Sequence, residues 1–278
     1  MNYTFSQMIA LVLLFCFLDG ASLLRAKRTQ TPDTKTNRQP VIIELFTSEG
    51  CSTCPPADAL LKKLETDQPI DHAEIIALEE HVDYWNQEGW VDPYSSAEWT
   101  LRQQQYVAKF KLSGPYTPQI VVDGEMQFVG SQEQTAEQAI QDATRRMETD
   151  VALIPEQPVD NGARRFNVRV RRLVGNMQGD TAEVWLAVTE AGLHSAVKRG
   201  ENAGHTLQHA AVLRSLHKLG VATTNTDVAF TATPHVKPKS DWNQDNLRVV
   251  VFVQEKKTLR IIGAASTKFA NPVTAANL

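Results

Sequence analysis

Between Val41 and Thr149 the hydrophobic positions switch period repeatedly. "VIIELF" (41–46) is an unbroken apolar, β-branched run, the pattern of a strand covered on both faces. Ala57, Leu60, Leu61 and Leu64 then recur at helical spacing, so a helix begins at or just after Cys51 and Cys54. Pro55 and Pro56 fit its first turn, where a missing N–H costs nothing. "AEIIAL" (73–78) returns to a strand, and "SAEWTLRQQQYVAKF" (96–110) reads as a helix with Ser95 or Ser96 as its N-cap. Gln119 to Val122 is a strand, Asp123-Gly124 a hairpin turn and Glu125 to Val129 the returning strand. Ser131 to Thr149 reads as an amphipathic helix, with Ser131 and Gln134 at capping-box spacing.

From about Val151 the pattern alternates instead. "RRFNVRVRRLV" places apolar and charged residues in turn, "TAEVWLAVTE" does so less strictly, and "LRVVVFVQEKKTLRIIGAAS" is a strand pair around a Lys-rich turn. The expected organisation is an α/β domain over 41–150 and a mostly β, sandwich-like domain over 151–278. Ahead of both, the apolar run Met8 to Leu18 is too short to span a bilayer, which takes roughly 20 residues. Small residues follow at Gly20, Ala21 and Ser22, and no Lys or Arg precedes the run. This predicts a signal peptide over 1–26, cut after Ser22 or Ala26, then a polar linker over 27–40. The mature protein is then exported, periplasmic or secreted, with no remaining membrane span. The formal net charge of -4, with no basic stretch interleaved with aromatics, argues against a nucleic-acid partner.

Export simplifies the cysteines. Of the 3 in the chain, Cys16 lies in the signal, which leaves Cys51 and Cys54 in a C-x-x-C motif. A staple gains most when it closes a long loop, and this one closes almost nothing. Thiol–disulfide exchange needs an attacking thiolate and a nearby resolving thiol, and C-x-x-C at a helix start supplies both. Cys51 is the expected nucleophile, its pKa lowered by the helix end, and Cys54 the expected resolver. Glu49, if close, opposes that lowering. The strand–helix order, with C-x-x-C after the first strand and Thr117-Pro118 opening the third, matches the thioredoxin fold. In such proteins a cis proline faces the disulfide and exposes backbone for an extended peptide, so Thr117-Pro118 is expected to be cis.

A metal reading stays open beside the redox one: Cys51, Cys54 and His81 make a possible copper or zinc constellation, although structural zinc commonly takes four ligands. A non-catalytic thioredoxin-like interaction protein is the third reading. The aromatic loop "HVDYWNQEGWVDPYSS" (81–96) looks like an insertion whose rings pack it down, with His81, Asp83 and Trp85 as site neighbours. Further on, Lys198, Arg199, Glu201, His205 and His209 cluster, and the two histidines would share a face if that stretch were helical. A solvated or interface segment explains the cluster better than a paired-histidine metal site.

Four motifs, "ELFTSEGCSTCPPAD", "HVDYWNQEGWVDP", "YTPQIVVDG" and "KRGENAGHTLQHAAVLR", resemble the exported bacterial family catalogued as domain of unknown function 1223. The likeness runs from about Val41 to Ala265. Against the family pattern "LFTSQGCSSCPPAD" this chain has Glu49 and Thr53, with both cysteines kept. The resemblance implies export and a thioredoxin-like domain followed by a β-rich one, and no substrate. The reading at this point is an exported thiol–disulfide oxidoreductase acting on a protein or peptide client. It has no cofactor beyond the Cys51–Cys54 disulfide, with Pro55, Thr117 and Pro118 shaping the site.

Overall fold

The computed structural model describes residues 38–146, 149–159, 162–173 and 181–270, so the expected signal peptide and most of the linker lie outside the described residues. The apolar run at Val41 forms β1 (Gln39–Thr47), parallel to β2 (Ala73–His81). Successive side chains point to opposite faces, which sorts the pair. Ile43, Leu45, Ile75 and Ala77 pack under α1 (Pro55–Asp67) and α3 (Glu133–Ala143). Ile42, Phe46, Ile76 and Leu78 turn to the other side, where Trp99 and Tyr106 of α2 (Ala97–Phe110) meet them. The same alternation puts Glu79 and His81 on the α1 face and Glu44 and Glu80 on the α2 face. β2 runs three residues past the expected apolar stretch, and all three of those residues are fully buried.

The helices begin and end where local chemistry directs. Ser96 caps α2 by accepting the Glu98 N–H. Gln68 ends α1 in the left-handed conformation, its N–H returning to the Leu64 carbonyl. The third helix is shorter than its pattern suggested. Gln132 rather than Ser131 is the N-cap, which moves Gln134 out of the third helical position and leaves no capping box. The helix stops at Ala143, its last core residue, because Arg145 and Arg146 offer nothing apolar to bury. β3 (Gln119–Val122) and β4 (Met126–Val129) form the expected hairpin, with positive φ at both Asp123 and Gly124.

The later strands are β5 (Val151–Pro158), β6 (Arg164–Arg171), β7 (Ala182–Glu190), β8 (His194–Ala196), β9 (Thr206–Gln208), β10 (Val212–Ala222), β11 (Val228–Ala232), β12 (His235–Val236), β13 (Leu247–Glu255) and β14 (Ile261–Lys268). β6 alternates buried and exposed without a break, as "RRFNVRVR" predicts. Its Phe166, Val168 and Val170 face Val184, Leu186, Val249 and Val251 across a two-layer core. One layer is the small sheet β11-β6-β12 with β5 beside β6; the other is an eight-stranded sheet in the order β14-β13-β7-β10-β2-β1-β3-β4. Strands from both sides of residue 150 therefore share that sheet, and the described residues lie in one compact unit. The join is the pairing of β10 beside β2, where the Glu79 N–H reaches the Ala211 carbonyl at 2.9 Å. The architecture is mixed α/β, mostly strand. No helix among the described residues is long and apolar enough to cross a membrane.

Candidate functional site

Cys51 and Cys54 are joined by a disulfide between the end of β1 and the start of α1, and both are fully buried. Cys54 is the N-cap of α1. Pro55 and Pro56 bring no N–H, and the Ala57 and Asp58 N–H groups both bond the Cys54 carbonyl. The first turn is thus closed upon itself, and the Thr53 hydroxyl lies 3.4 Å from Cys51 Sγ. Thr117-Pro118 is cis. A Cβ built on Gly130 would meet Ala57 at 2.9 Å and Pro118 at 3.2 Å, so the proline and the first turn of α1 crowd the same point.

Two loops cover the motif. Trp85 packs on Gly50 and donates its indole N–H to Thr117 Oγ1 at 2.8 Å. From the turn between β8 and β9, Asn202 donates to the carbonyls of Glu49 and Cys51, each at 2.9 Å, and Glu201 accepts the Ser52 N–H at 3.0 Å. Gly200, at φ +75, lets that turn press against Trp90 and the Glu88 carbonyl.

Beneath the motif lies a buried array of histidines and carboxylates. His209 reaches Glu49 Oε1 through Nε2 at 3.0 Å and Glu79 Oε1 through Nδ1 at 2.8 Å. His81 Nδ1 lies 2.7 Å from Asp92 Oδ2, which also accepts the Glu49 N–H. The second oxygen of Glu49 accepts the Trp90 indole N–H at 2.7 Å. The second oxygen of Glu79 accepts the N–H groups of Ala210 and Ala211. The two imidazole rings lie 4.6 Å apart, and Tyr94 packs edge-on against both.

Burial alone would lower the imidazole pKa values; paired carboxylates reverse this. Asp92 and Glu79 hold His81 well above its ordinary value, and Glu49 and Glu79 raise His209 to about 9. Burial would raise Glu79 and Asp92, but the neighbouring imidazoles hold both below the usual carboxylate range. Asp58, one helical turn beyond Cys54, accepts the Thr47 hydroxyl at 2.6 Å. Burial, then the Glu79 charge, pushes it up to about 7.

A family model described as a protein of unknown function, DUF1223, matches residues 42–254. The chain belongs to the DUF1223 family. A crystal structure of a protein from Agrobacterium tumefaciens is 23% identical with a TM-score of 0.62, covering 84% of this chain and 96% of its own. HBP35 of Porphyromonas gingivalis is 16% identical with a TM-score of 0.60, covering 87% of this chain and 78% of its own. Both are likenesses of fold. No curated protein matches.

In this DUF1223 protein the residues singled out from sequence are distributed unevenly. Pro55 follows Cys54 directly, Trp85 packs on Gly50 and bonds Thr117, and Pro118 meets the first turn of α1 at Gly130. Asp83 does not join them: it accepts the Thr100 hydroxyl at 2.6 Å, at the start of α2. His81 faces Glu79 and Asp92 in the buried array, while the two cysteines are bonded to each other. The cluster at 198–209 is a β-hairpin rather than a helix, so His205 and His209 share no helical face, and His209 turns inward. Sequence reading missed Glu79, Asp92, Asn202 and the burial of His209. One signal was available: "LEEH" ends an apolar strand with three ionisable residues in a row, which a buried strand tolerates only when each is partnered.

Proposed function

We propose that this protein is an exported, thioredoxin-like thiol–disulfide oxidoreductase acting on a protein or peptide client. The observation that carries the reading is the Cys51–Cys54 disulfide at the start of α1. The strand–helix order through β4 and the cis Thr117-Pro118 beside the first turn of α1 support it. In client oxidation, a client thiolate attacks Cys51 Sγ, the Cys51–Cys54 bond breaks, and Cys54 leaves as a thiolate. A second client thiolate then attacks the client sulfur of the mixed disulfide and releases Cys51. The client loses two electrons and two protons, and the cysteine pair gains them. Client reduction is the same sequence reversed, with Cys51 attacking and Cys54 resolving. We assign exchange of the resolving cysteine's proton to Asp58, which lies one helical turn beyond Cys54 in α1 and whose pKa burial pushes up to about 7.

Asn202 and Glu201 lie over the motif, so exchange requires the β8–β9 turn to lift. The test is turnover of a dithiol or disulfide substrate by the purified protein. Cys51→Ser is expected to abolish turnover, and Cys54→Ser to trap the client as a mixed disulfide. Undiminished turnover in Cys51→Ser defeats the reading. No turnover in wild type, with the disulfide intact, favours a non-catalytic interaction protein.

A further inference from the structure

We propose that Glu79, His81 and His209 form a site for a divalent transition-metal ion of the zinc class, bound through Glu79 Oε1, His81 Nε2 and His209 Nδ1. The site stands apart from thiol exchange and uses neither cysteine. Its three donor atoms lie within 4.8 Å of one another. Glu79 Oε1 is 2.8 Å from His209 Nδ1 and 3.4 Å from His81 Nε2. Ligand bonds of about 2.0–2.2 Å in tetrahedral geometry put neighbouring donors roughly 3.3–3.6 Å apart, so small side-chain adjustments would admit the ion.

The surroundings argue for more than a chance cluster. Each imidazole has its outer nitrogen tied to a carboxylate: His81 Nδ1 to Asp92 and His209 Nε2 to Glu49. This is how metal-binding histidines are oriented, since the outer hydrogen bond fixes the tautomer and aims the other nitrogen's lone pair inward. Glu79 is held in the same way, its second oxygen engaged by two backbone N–H groups and its first left facing the imidazoles.

His81 Nε2, moreover, is buried and makes no hydrogen bond; Glu79 Oε1, 3.4 Å away, offers it an ion pair only. Buried polar atoms are rarely left so, and a cation at this point would engage the nitrogen. Two nitrogens and one carboxylate oxygen match the three-ligand set of catalytic zinc sites, which keep a fourth position for water or substrate. Of the three, His209 also forms part of the wall of two surface cavities of about 390 and 400 Å³.

The experiment uses the whole purified chain, stripped with a chelator and titrated with zinc, then with cobalt(II) as a spectroscopic probe. One zinc per chain is expected, and a cobalt spectrum without a thiolate charge-transfer band. The Cys51→Ser/Cys54→Ser double variant is expected to keep that stoichiometry, while His209→Ala and His81→Ala lose it. Asp92→Asn is expected to weaken binding about 10–100-fold, the usual cost of removing such an orienting partner. Should the alanine variants fail to fold, the wild-type cobalt spectrum and X-ray absorption still decide, because nitrogen and oxygen scatterers alone are expected. No binding by the wild-type chain, sulfur in the metal's coordination shell, or zinc kept by His209→Ala and lost by the cysteine double variant would each overturn the proposal.

Discussion

The two faces of the β1–β2 pair each bury a charged cluster, and they solve the problem differently. On the α2 face, Arg102 grips Glu44 with a two-point bond, both contacts at 2.8 Å, and Tyr106 donates to the same carboxylate. Gln254 accepts from Arg102 and donates to Tyr106. Glu80 lies 3.5 Å from the guanidinium, and burial, then the Glu44 charge, pushes its pKa well above the usual carboxylate range. On the α1 face the groups that meet the carboxylates are imidazoles. A guanidinium has five donors, no lone pair and a permanent charge, so it can only hold; an imidazole can give up a proton or offer a lone pair to a ligand. The face that can do chemistry is the one that also carries the disulfide.

Removing the guanidinium is the strongest way to break this contrast. Arg102→Met leaves Glu44 without its cation, and losing one partner of a buried pair costs about 3–5 kcal/mol. Urea unfolding should show that loss, while the rate at which dithiothreitol reduces Cys51–Cys54, measured well below the unfolding transition, stays at the wild-type value. A loss under about 1 kcal/mol would show that the α2-face cluster is not a structural lock.

Asn202→Ala probes the other face. It strips a buried donor from the Glu49 and Cys51 carbonyls, expected to cost about 1–3 kcal/mol. Because the same side chain fastens the β8–β9 turn over the motif, the disulfide should also be reduced faster in folded protein. Wild-type reduction kinetics would mean that the turn does not guard the disulfide. Trp85→Phe is milder. It deletes the bond to Thr117 Oγ1 and keeps most of the ring's packing on Gly50, for about 0.5–1.5 kcal/mol in a denaturation curve. A loss of 3 kcal/mol or more would instead mark the indole as a core element of the kind whose truncation leaves a cavity, on the order of 3–5 kcal/mol.

The sequence was informative where the determinants are local. "GCSTCPP", "TPQIVVDG" and the strict alternation of "RRFNVRVR" each encode a turn, a proline or a face within a few residues. The buried array was hidden because its parts meet only through tertiary pairing. His209 finds Glu49 across 160 positions, and only because β10 adds beside β2. No periodicity announces that register. Glu79 and Glu80 read as one acidic pair in sequence, yet the pleat sends them to opposite faces and opposite roles. Asn202 sits in a polar turn whose composition gives no hint that it reaches the C-x-x-C.

Asp123 gives the smallest and cleanest test, a buried carboxylate bonded to neither an imidazole nor a guanidinium among the described residues. It accepts the Ile42 N–H at 2.8 Å. Burial raises its pKa to about 7, with that N–H and the Arg146 charge only partly opposing. A carboxyl whose folded pKa exceeds its unfolded value binds more protons when folded, so stability falls as pH climbs from about 4 to 7. Asp123→Asn keeps an oxygen for Ile42, tolerates the positive φ of 46°, and cannot ionise. The variant's stability relative to wild type should therefore rise steadily across that window and level off above it, read from urea midpoints at a series of pH values. Asp58 supplies a similar slope in both proteins and cancels in the difference. Parallel profiles would mean that the turn lets water reach Asp123, and that burial without a cation is cheaper at a sheet edge than beneath α1 or α2.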